Sequence, residues 1–224
     1  MIKVIYFMYR KPGMAVEEFQ DYWRTTHADL VRKMPGIRRY TQCHTLLGGY
    51  NRPTPPPADG VEEICFDSLE SLASLETTEE RQAAIADFEN FTDTSRVFHL
   101  FTEEIIIKEG MAHEGMVKNI EFVIRKPGMP LEEFRHYWKE IHGPIASKIE
   151  VIKRYVQSHN LMLEYGKESP PAYDGVAETW FEDTAAMRQS ATTPEYAAHH
   201  ADMSNFLAGD LPFIITREIK ILDY

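Results

Sequence analysis

Cysteine is scarce in this chain, which has two, Cys43 and Cys65, among 224 residues. So few cysteines indicate no disulfide framework, and a reducing compartment fits. No apolar run approaches the roughly 18 residues that a membrane span needs. The first residues also lack the long apolar core and cleavage site of a secretory signal. The expectation is therefore a cytoplasmic protein with no membrane partner.

Basic residues are also in deficit. The 24 lysines and arginines are outnumbered by 35 acidic residues, which gives a formal net charge of −11. Binding to phosphates needs clustered positive charge, so this composition argues against a nucleic-acid partner and disfavours an anionic membrane surface. The chain contains no G-x-G-x-x-G, P-loop, Cys-x-x-Cys or G-x-S-x-G motif, so the enzyme classes that depend on them have no support.

What the chain does contain is one pattern written twice. The motif Arg-Lys-Pro-Gly-Met begins at Arg10 and again at Arg125, and the same offset relates the two copies without a gap. About forty of roughly 108 aligned pairs are identical, which is too many for chance. The chain is therefore a tandem duplication, predicted as a first repeat over 1–109, a linker over 110–116 and a second repeat over 117–224.

Each copy shows the same order of predicted elements. In the first copy these are a strand over 2–9, a helix over 15–33, strands over 37–47 and 61–66, a helical region over 68–91 that is interrupted near Thr77-Thr78, and a strand over 97–108. In the second copy, Thr193-Pro194-Glu195 predicts the start of a helix at the equivalent place. This order is the split βαβ arrangement of ferredoxin-like folds, with both helices on one face of a four-stranded sheet.

The other face of each sheet also needs a cover, because the first strand is apolar on both sides. The simplest cover is the sheet of the other copy. The predicted fold class is therefore α+β, with two tandem ferredoxin-like βαββαβ repeats packed sheet to sheet as a barrel-like pair within one chain.

The combined motifs resemble the EthD family of the dimeric α/β-barrel superfamily. In the second copy they are Lys126 to Met129, Glu132 to Phe134, Tyr137-Trp138, His142-Gly143-Pro144, Arg154 to Gln157 and Tyr173 to Phe181. The resemblance covers nearly the whole chain, twice. It implies an intrachain version of the dimeric α/β barrel, since family members are usually single repeats that dimerise through their sheets. A homodimer of the fused pair is a further expectation.

The resemblance implies chemistry only in outline. Family members act in the degradation of ethers and aromatics and in polyketide tailoring, and the superfamily includes cofactor-free monooxygenases, cyclases, isomerases and decarboxylases. A site without a cofactor is therefore the expectation. Haem on one of the histidines is an alternative by superfamily analogy alone. His199-His200 with Asp202 is a poor metal cluster, because adjacent residues on a helix face different directions.

One face of the second strand is kept in both copies. It carries Tyr40, Gln42 and His44 in the first copy and Tyr155, Gln157 and His159 in the second, while the alternate positions differ. We place this face inside the barrel, towards a ligand cavity. The alternative is that these groups satisfy one another in a polar core layer.

The first helix carries a histidine in each copy, His27 and His142, one turn after a tryptophan. A histidine there is either a core residue or a proton-transfer group, since a neutral imidazole can accept a proton beside a carbonyl. The second copy keeps the His-Gly-Pro pattern that the first copy lacks. The second copy is therefore predicted to hold the active site.

Three carboxylates are further candidates. Glu121 replaces Tyr6 on the first strand and is predicted to point into the barrel, with a solvated position as the alternative. Asp174 precedes a glycine, where a turn role is equally plausible. Glu178 lies on a half-buried strand, either as an ion-pair partner or as a base.

The predicted function is a cofactor-independent enzyme that acts on a hydrophobic aromatic or polyketide-like small molecule by oxidation or by lyase, isomerase or decarboxylase chemistry. The predicted catalytic residues are His142, His159, Glu121 and Asp174. The predicted substrate-binding residues are Trp138, Tyr155, Gln157, Glu178, Trp180, His27, His44 and Tyr40. Two alternatives stay open: a non-catalytic carrier or accessory protein of an oxidative pathway, and a structural shell whose histidines are core residues.

Overall fold

The computed structural model describes residues 1–223, so Tyr224, the last residue of the predicted second repeat, lies outside the described residues. The first-repeat elements are β1 (Ile2–Met8), α1 (Val16–Tyr22), α2 (Ala28–Val31), β2 (Ile37–Thr45), β3 (Gly60–Phe66), α3 (Leu69–Ala73), α4 (Glu79–Phe91) and β4 (Phe98–Lys108). The second-repeat elements are β5 (Val117–Val123), α5 (Leu131–His136), α6 (Gly143–Ser147), β6 (Arg154–Asn160), β7 (Gly175–Phe181), α7 (Thr184–Ser190), α8 (Pro194–Phe206) and β8 (Phe213–Asp223). Both repeats therefore have the predicted βαββαβ order.

The break predicted within the second helical region is confirmed in both repeats. In the second repeat, the hydroxyl of Thr193 accepts a hydrogen bond from the backbone N–H of Tyr196, and Pro194 occupies the first helical position. A proline costs nothing there because its missing N–H has no helical partner. In the first repeat, Thr78 caps α4 in the same way. Local capping chemistry therefore fixes where both long helices begin.

The first predicted helix is interrupted by a wider turn that the sequence did not reveal. Trp23–His27 in the first repeat and Tyr137–His142 in the second are π-helical, each between two α-helical segments. A π turn inserts an extra residue into the helical ladder and is frequent at functional sites. It sets the direction of the tryptophan and histidine side chains at its ends.

The described residues divide into two compact units. One contains Met1–Phe101 and the part of the chain from Glu218 onwards, and the other contains Thr102–Arg217. In the first unit β3 lies between β1 and β2, and Ile221 and Leu222 from the end of β8 pack against its core. The predicted boundaries at 1–109 and 117–224 stay a prediction.

The second unit contains the antiparallel strand order β8-β5-β7-β6-β4. Its last strand is the end of β4, which belongs to the first repeat in sequence and pairs with β6 from Thr102 to Lys108. Hydrogen bonding over the described strands follows the order β1-β3-β2-β8-β5-β7-β6-β4 and closes. The predicted α+β class, with tandem ferredoxin-like repeats and an antiparallel barrel, is confirmed.

A glycine is required where β7 begins. A Cβ atom on Gly175 would lie 2.2 Å from the carbonyl oxygen of Ser158 and about 3.0 Å from the Trp138 ring. Real Cβ atoms do not approach a backbone oxygen so closely, so only glycine lets this strand and the tryptophan meet. Trp138 is buried against this glycine.

None of the helices within residues 1–223 is long and apolar enough to cross a membrane.

Candidate functional site

A cavity of about 260 Å³ lies in the second repeat, between the sheet and the helices that cover it. The polar side chains in its wall are Asn119, Glu121, His142, Tyr155, Thr179, Arg188, Ser190, Tyr196 and His199. The apolar wall includes Trp138, Ala146, Ile149, Ile152, Met187, Met203, Phe206 and Phe213. Apolar surface with a few converging polar groups is the usual character of a small-molecule site.

Strand alternation explains which residues reach the cavity. On β5 the cavity side carries Asn119 and Glu121, and on β7 it carries Ala177 and Thr179, which pair across the strands with those two residues. Successive side chains on a strand point to opposite faces, so Ile120 lies on the other face. The helix-facing side of the sheet is therefore the side that holds the site.

The predicted position of the cavity, inside the barrel, is wrong. The face of β6 that both repeats share points towards the helices of its own repeat, as shown by the hydrogen bond from Gln157 Nε2 to the carbonyl oxygen of Trp138 on the π turn. Glu121 shares this helix-facing side, so it lines the cavity, but between sheet and helices. The second repeat does hold the cavity.

His142 is held by a carboxylate. Its Nδ1 lies 2.8 Å from Oδ2 of Asp202 on α8, and Asp202 also accepts hydrogen bonds from the hydroxyl of Tyr137 and the side-chain amide of Asn205. Burial acts to raise the pKa of Asp202, but the hydrogen bonds from Tyr137, His142 and Asn205 outweigh it and lower that pKa. Asp202 is therefore an ionised acceptor, and Nδ1 of His142 carries the proton.

This arrangement leaves Nε2 of His142 with the lone pair. His142 lines the cavity and is 3% exposed, and no residue of the described chain forms a hydrogen bond with its Nε2. Burial lowers the pKa of His142, while the hydrogen bond and charge of Asp202 act in the opposite direction. The imidazole is therefore neutral near pH 7 and can accept a proton at Nε2.

His199 stands beside His142. The two ring centroids are 4.7 Å apart, and burial, with smaller contributions from His142 and His200, lowers the pKa of His199 to about 4. Its Nδ1 is buried and unpartnered among the described residues. A second neutral imidazole thus completes this side of the cavity.

Glu121 and Asn119 form the polar part of the sheet wall. The amide nitrogen of Asn119 lies 3.2 Å from Oε1 of Glu121. Burial raises the pKa of Glu121, and the bond from Asn119 acts in the opposite direction. A carboxyl group with a raised pKa holds its proton more readily than an exposed one and can donate it to a ligand.

The other residues of β6 that both repeats share pack against Trp138 and hold it in place. Tyr155 lines the cavity, and its hydroxyl accepts hydrogen bonds from Trp138 Nε1 at 3.2 Å and Gln157 Nε2 at 2.9 Å. His159 stacks on Trp138 at 4.2 Å and bonds Gln157 Oε1 at 2.9 Å. Burial lowers the pKa of His159 to about 3, with smaller contributions from two nearby cations. His159 lies outside the cavity wall, so the predicted meeting of His142 and His159 in one chamber does not occur.

Glu178 and Trp180 lie on the opposite face of the sheet, so the prediction that Trp180 lines the cavity is wrong. Glu178 pairs there with Lys118 at 2.6 Å and accepts a hydrogen bond from Ser158 at 2.7 Å. The Lys118 ammonium lies 4.5 Å from the Trp180 ring centre. The physical reason is strand parity, since cavity-facing Thr179 lies between the two residues.

Asp174 is also outside the cavity wall. It accepts hydrogen bonds from the backbone N–H of Arg125 at 2.8 Å, from the guanidinium of Arg125 at 2.9 Å and from the hydroxyl of Tyr165 at 2.8 Å. These bonds tie the strand-to-helix turn to β7. The geometry gives Asp174 a structural setting.

In the first repeat, the equivalent histidine sits in a buried charge cluster. Nδ1 of His27 lies 2.9 Å from Asp87, and Nε2 lies 3.5 Å from Oε2 of Glu62, an ion-pair distance. The same Glu62 carboxylate accepts hydrogen bonds from Trp23 Nε1 at 2.7 Å and from the hydroxyl of Tyr40 at 2.8 Å. His27 and Tyr40 therefore have an anionic partner that their second-repeat equivalents lack, because Ala177 replaces Glu62.

His44 repeats the role of His159. It stacks on Trp23 with ring centroids 4.4 Å apart and bonds Gln42 at 2.9 Å. Burial lowers its pKa to about 3, with a smaller contribution from Arg24. The shared face of the second strand is thus a tryptophan support in both repeats.

The charge cluster predicts how the first unit responds to pH. Burial acts to lower the pKa of His27, but the Glu62 charge and the Asp87 hydrogen bond outweigh it and raise that pKa to about 9. The contribution of protonated His27 to the free energy of unfolding is fully present below pH 6.5, the approximate pKa of histidine in the unfolded chain. This contribution is lost as the pH rises through about 9, the pKa of His27 in the folded chain. Because one pKa unit is about 1.4 kcal/mol, we expect a loss of a few kcal/mol over that window.

Thiol reactivity can measure this loss in the first unit alone, since Cys43 and Cys65 are buried thiols of that unit and form no disulfide. Their labelling rate at pH 6.5 and pH 9 should rise much more in the wild type than in His27→Gln. His142→Gln is the matched control, because a depressed histidine pKa gives stability that is lost as pH falls. An equal pH response in wild type and His27→Gln would contradict the cluster's role.

The two repeats differ in sequence at the positions that line the cavity of the second repeat. Smaller or more flexible residues replace larger ones at four wall positions: Val31 and Ala146, Leu72 and Met187, Leu75 and Ser190, and Phe88 and Met203. The first-repeat members are buried in hydrophobic core clusters. Polar residues replace apolar ones at four more: Val4 and Asn119, Tyr6 and Glu121, Ile64 and Thr179, and Ala84 and His199. The same fold thus carries a buried hydrophobic cluster at these positions in one repeat and a cavity with polar groups in its wall in the other.

Sequence reasoning missed Asp202 and His199 as site residues. Asp202 had a usable signal, because Asp87 stands at the same place in the first copy. For His199 the comparison of the copies gives no such indication, since the first copy has Ala84 at this position. Its place beside His142 follows only from the packing of α8 against the π turn, which the structure shows. No group of three metal-ligating side chains is assembled anywhere in the described chain.

The fold and the cavity define a two-repeat α+β protein of ferredoxin-like topology with a buried cavity in its second repeat. Residues 11–95 and 126–210 each match the EthD domain. These ranges make up more than half of the chain, so the chain belongs to the EthD domain family. The resemblance seen in its motifs is confirmed.

Relatives and solved structures agree with this assignment. An uncharacterized 11.0 kDa protein of the thcB-thcC intergenic region of Rhodococcus erythropolis is 27% identical over 103 residues, which cover 46% of this chain and 96% of that protein. The crystal structure of an anthrone oxidase-like protein aligns with a TM-score of 0.65 over 98% of this chain and 92% of that one, at 12% identity. A candidate monooxygenase from Fusobacterium nucleatum aligns with a TM-score of 0.60 over 98% and 92%, at 9% identity. At these identities the structural likeness shows the fold alone.

Proposed function

We propose that this chain is an enzyme that oxidises or rearranges a hydrophobic, enolisable aromatic or polyketide-like small molecule in the cavity of its second repeat, without a cofactor. The observation that carries the proposal is the His142–Asp202 pair in the wall of a largely apolar cavity, where Nε2 of His142 forms no hydrogen bond with any of residues 1–223. The names of the structural neighbours, an anthrone oxidase-like protein and a candidate monooxygenase, favour oxidation among the candidate reactions.

An enolate is the intermediate that the candidate reactions share, and oxidation and isomerisation form it by removal of a proton from a carbon that a carbonyl activates. His142 takes a proton from a carbon next to the substrate carbonyl or, in an anthrone, from the CH₂ group that lies opposite the carbonyl in the central ring and is conjugated with it. The electron pair of the broken C–H bond forms an enolate. Asp202 stabilises the imidazolium that results and holds its orientation. Glu121, with its raised pKa, is placed to exchange a proton at the sheet wall.

Oxidation needs dioxygen as the second reactant. For an anthrone, the enolate reduces dioxygen and forms a C–O bond, and the peroxide oxygen takes the proton from His142. Loss of water from the resulting hydroperoxide breaks the O–O bond and leaves a quinone, so one anthrone and one dioxygen give one quinone and one water. Isomerisation would follow from the same enolate without dioxygen, by return of the proton from His142 to a different atom. Decarboxylation would instead form the enolate by loss of carbon dioxide, and His142 would return a proton to it.

The experiment is a turnover assay of the whole chain with anthrone and a panel of hydroxylated aromatic ketones. Dioxygen uptake and product mass are measured beside His142→Gln, which corrects for spontaneous oxidation. We expect dioxygen-dependent conversion that is unchanged after dialysis against a chelator and after addition of haem. Conversion by the wild type no faster than by His142→Gln, in air and under nitrogen, would contradict an enzymatic role.

A carrier role is the second candidate, and the apolar character of the cavity wall favours it. In that case calorimetry would show saturable binding of the same compounds while their concentration stays constant over hours. The predicted homodimer of the fused pair remains a separate prediction that sedimentation would test.

A further inference from the structure

We propose that His199 is a second catalytic residue of this cavity, which donates a hydrogen bond from Nε2 to the substrate oxygen that becomes negatively charged when His142 removes a proton. The inference rests on the proposed function and names what the substrate must carry. That feature is an oxygen on the edge of the aromatic system, on a carbon that is adjacent to or conjugated with the one that loses its proton.

The position of His199 is suited to this role. It lies on α8, lines the same cavity as His142, and its ring contacts that of His142 at 4.7 Å between centroids. A substrate atom that reaches one imidazole therefore lies near the other. The first repeat has Ala84 at this position, buried in a hydrophobic core cluster.

The surroundings of the ring determine which nitrogen carries the proton. Nδ1 of His199 is buried and has no hydrogen-bond partner among residues 1–223. A buried N–H group without an acceptor is the rarer and costlier situation, whereas a buried lone pair is tolerated more often. The proton therefore resides on Nε2, which also forms no hydrogen bond with the described part of the protein. The ring thus presents a donor to a ligand.

The two imidazoles consequently have different duties. Asp202 fixes the proton of His142 on Nδ1 and leaves Nε2 as an acceptor, while His199 offers Nε2 as a donor. Burial keeps His199 neutral, with a pKa of about 4, so it stabilises a developing anion through a hydrogen bond and not through charge. Removal of a proton beside a carbonyl requires one acceptor at carbon and one donor at oxygen, and the pair supplies both.

A binding experiment tests the donor without requiring turnover. The probes are 2-naphthol, whose oxygen sits where an enolate oxygen would, and naphthalene, which lacks it. Calorimetry on the full chain should show that His199→Ala lowers the affinity for 2-naphthol about fivefold, which corresponds to the loss of one hydrogen bond. The affinity for naphthalene should stay unchanged. His200→Ala is the matched control, since His200 is the adjacent, exposed residue of the same helix.

An equal loss of affinity for both probes in His199→Ala would overturn the proposal, because it would show that His199 contributes only to the shape of the cavity. No loss of either probe would overturn it as well. Should His199→Ala fold poorly by its thermal midpoint, His199→Gln replaces it, and the amide donor should keep the preference for 2-naphthol. A preference that depends on His199 in a protein without turnover would support the donor and reject only the proposed function.

Where turnover is found, kcat gives the second measurement. Loss of one donor to a developing oxyanion should lower kcat roughly 10²-fold with little change in KM. His199→Gln should recover most of that loss, whereas a merely structural role would give no such recovery.

Discussion

Replacement of His142 by glutamine should lower turnover of an enolisable aromatic ketone by about 10²–10⁴-fold, the range that a positioned general base contributes. Glutamine occupies similar space and can still hydrogen-bond Asp202, but it cannot take a proton. The cavity wall is otherwise unchanged, so KM should move little. Steady-state measurements of kcat and KM on the purified chain give both values.

The pH profile of the wild type gives an independent check on the same residue. Burial lowers the pKa of His142 below the ordinary value of about 6.5, against the opposing effect of Asp202. His142 must be neutral to act as a base, so kcat/KM should hold from neutral pH to below that value and then fall as the ring is protonated. The control, His200→Ala, should keep both the rate and the profile. Turnover by His142→Gln at the wild-type rate would remove His142 from the mechanism.

Filling the cavity with the residues of the first repeat should abolish ligand binding. The variant combines Ala146→Val, Ser190→Leu and Met203→Phe, each of which restores the side chain found 115 positions earlier. A bound ring would have to displace these groups, and overpacking costs about 1–3 kcal/mol at a well-packed site. We expect the affinity for 2-naphthol to fall at least about 100-fold. Calorimetry measures this loss.

Stability should move the other way in this variant. Added apolar volume that fits a cavity commonly stabilises by about 0.5–2 kcal/mol, and the first repeat shows that these residues can pack in this fold. Ser204→Leu, on the exposed side of α8, is the control that adds apolar surface outside the cavity. Retained affinity in the filled variant would place the ligand elsewhere, and a large loss of stability would show that the repeats are not interchangeable at these positions.

The fold could be predicted from the sequence because local signals and the duplication agreed. Breakers and caps such as Thr193-Pro194 mark helix starts by hydrogen-bond chemistry that needs no tertiary context. The repeat supplied each boundary twice, so a weak signal in one copy was corrected by the other. The π turn at Tyr137–His142 was not visible, because its sequence fits a regular helix equally well.

The site was predicted less well because both faces of the sheet are buried. On β7 six of seven residues are buried, so the pattern carries no alternation that shows which face meets the helices. The sequence analysis places Tyr155 in the barrel interior, whereas in the structure Tyr155 lies on the helix-facing side of the sheet. The partner of His142 depended on how α8 packs against the π turn, which spacing within one helix cannot reveal.

The packed first repeat and the hollow second repeat have a consequence for how such a protein can change. In a symmetric dimer of identical chains, a substitution that enlarges the pocket acts twice on the free energy of unfolding. In a fused pair the two copies can differ, and here the second has Ala146 and Ser190 where the first has Val31 and Leu75. In the duplicated chain, one repeat can therefore keep a well-packed core that maintains stability while substitutions in the other repeat change which ligands it binds. A homodimer cannot separate these two effects, because every substitution occurs in both of its subunits.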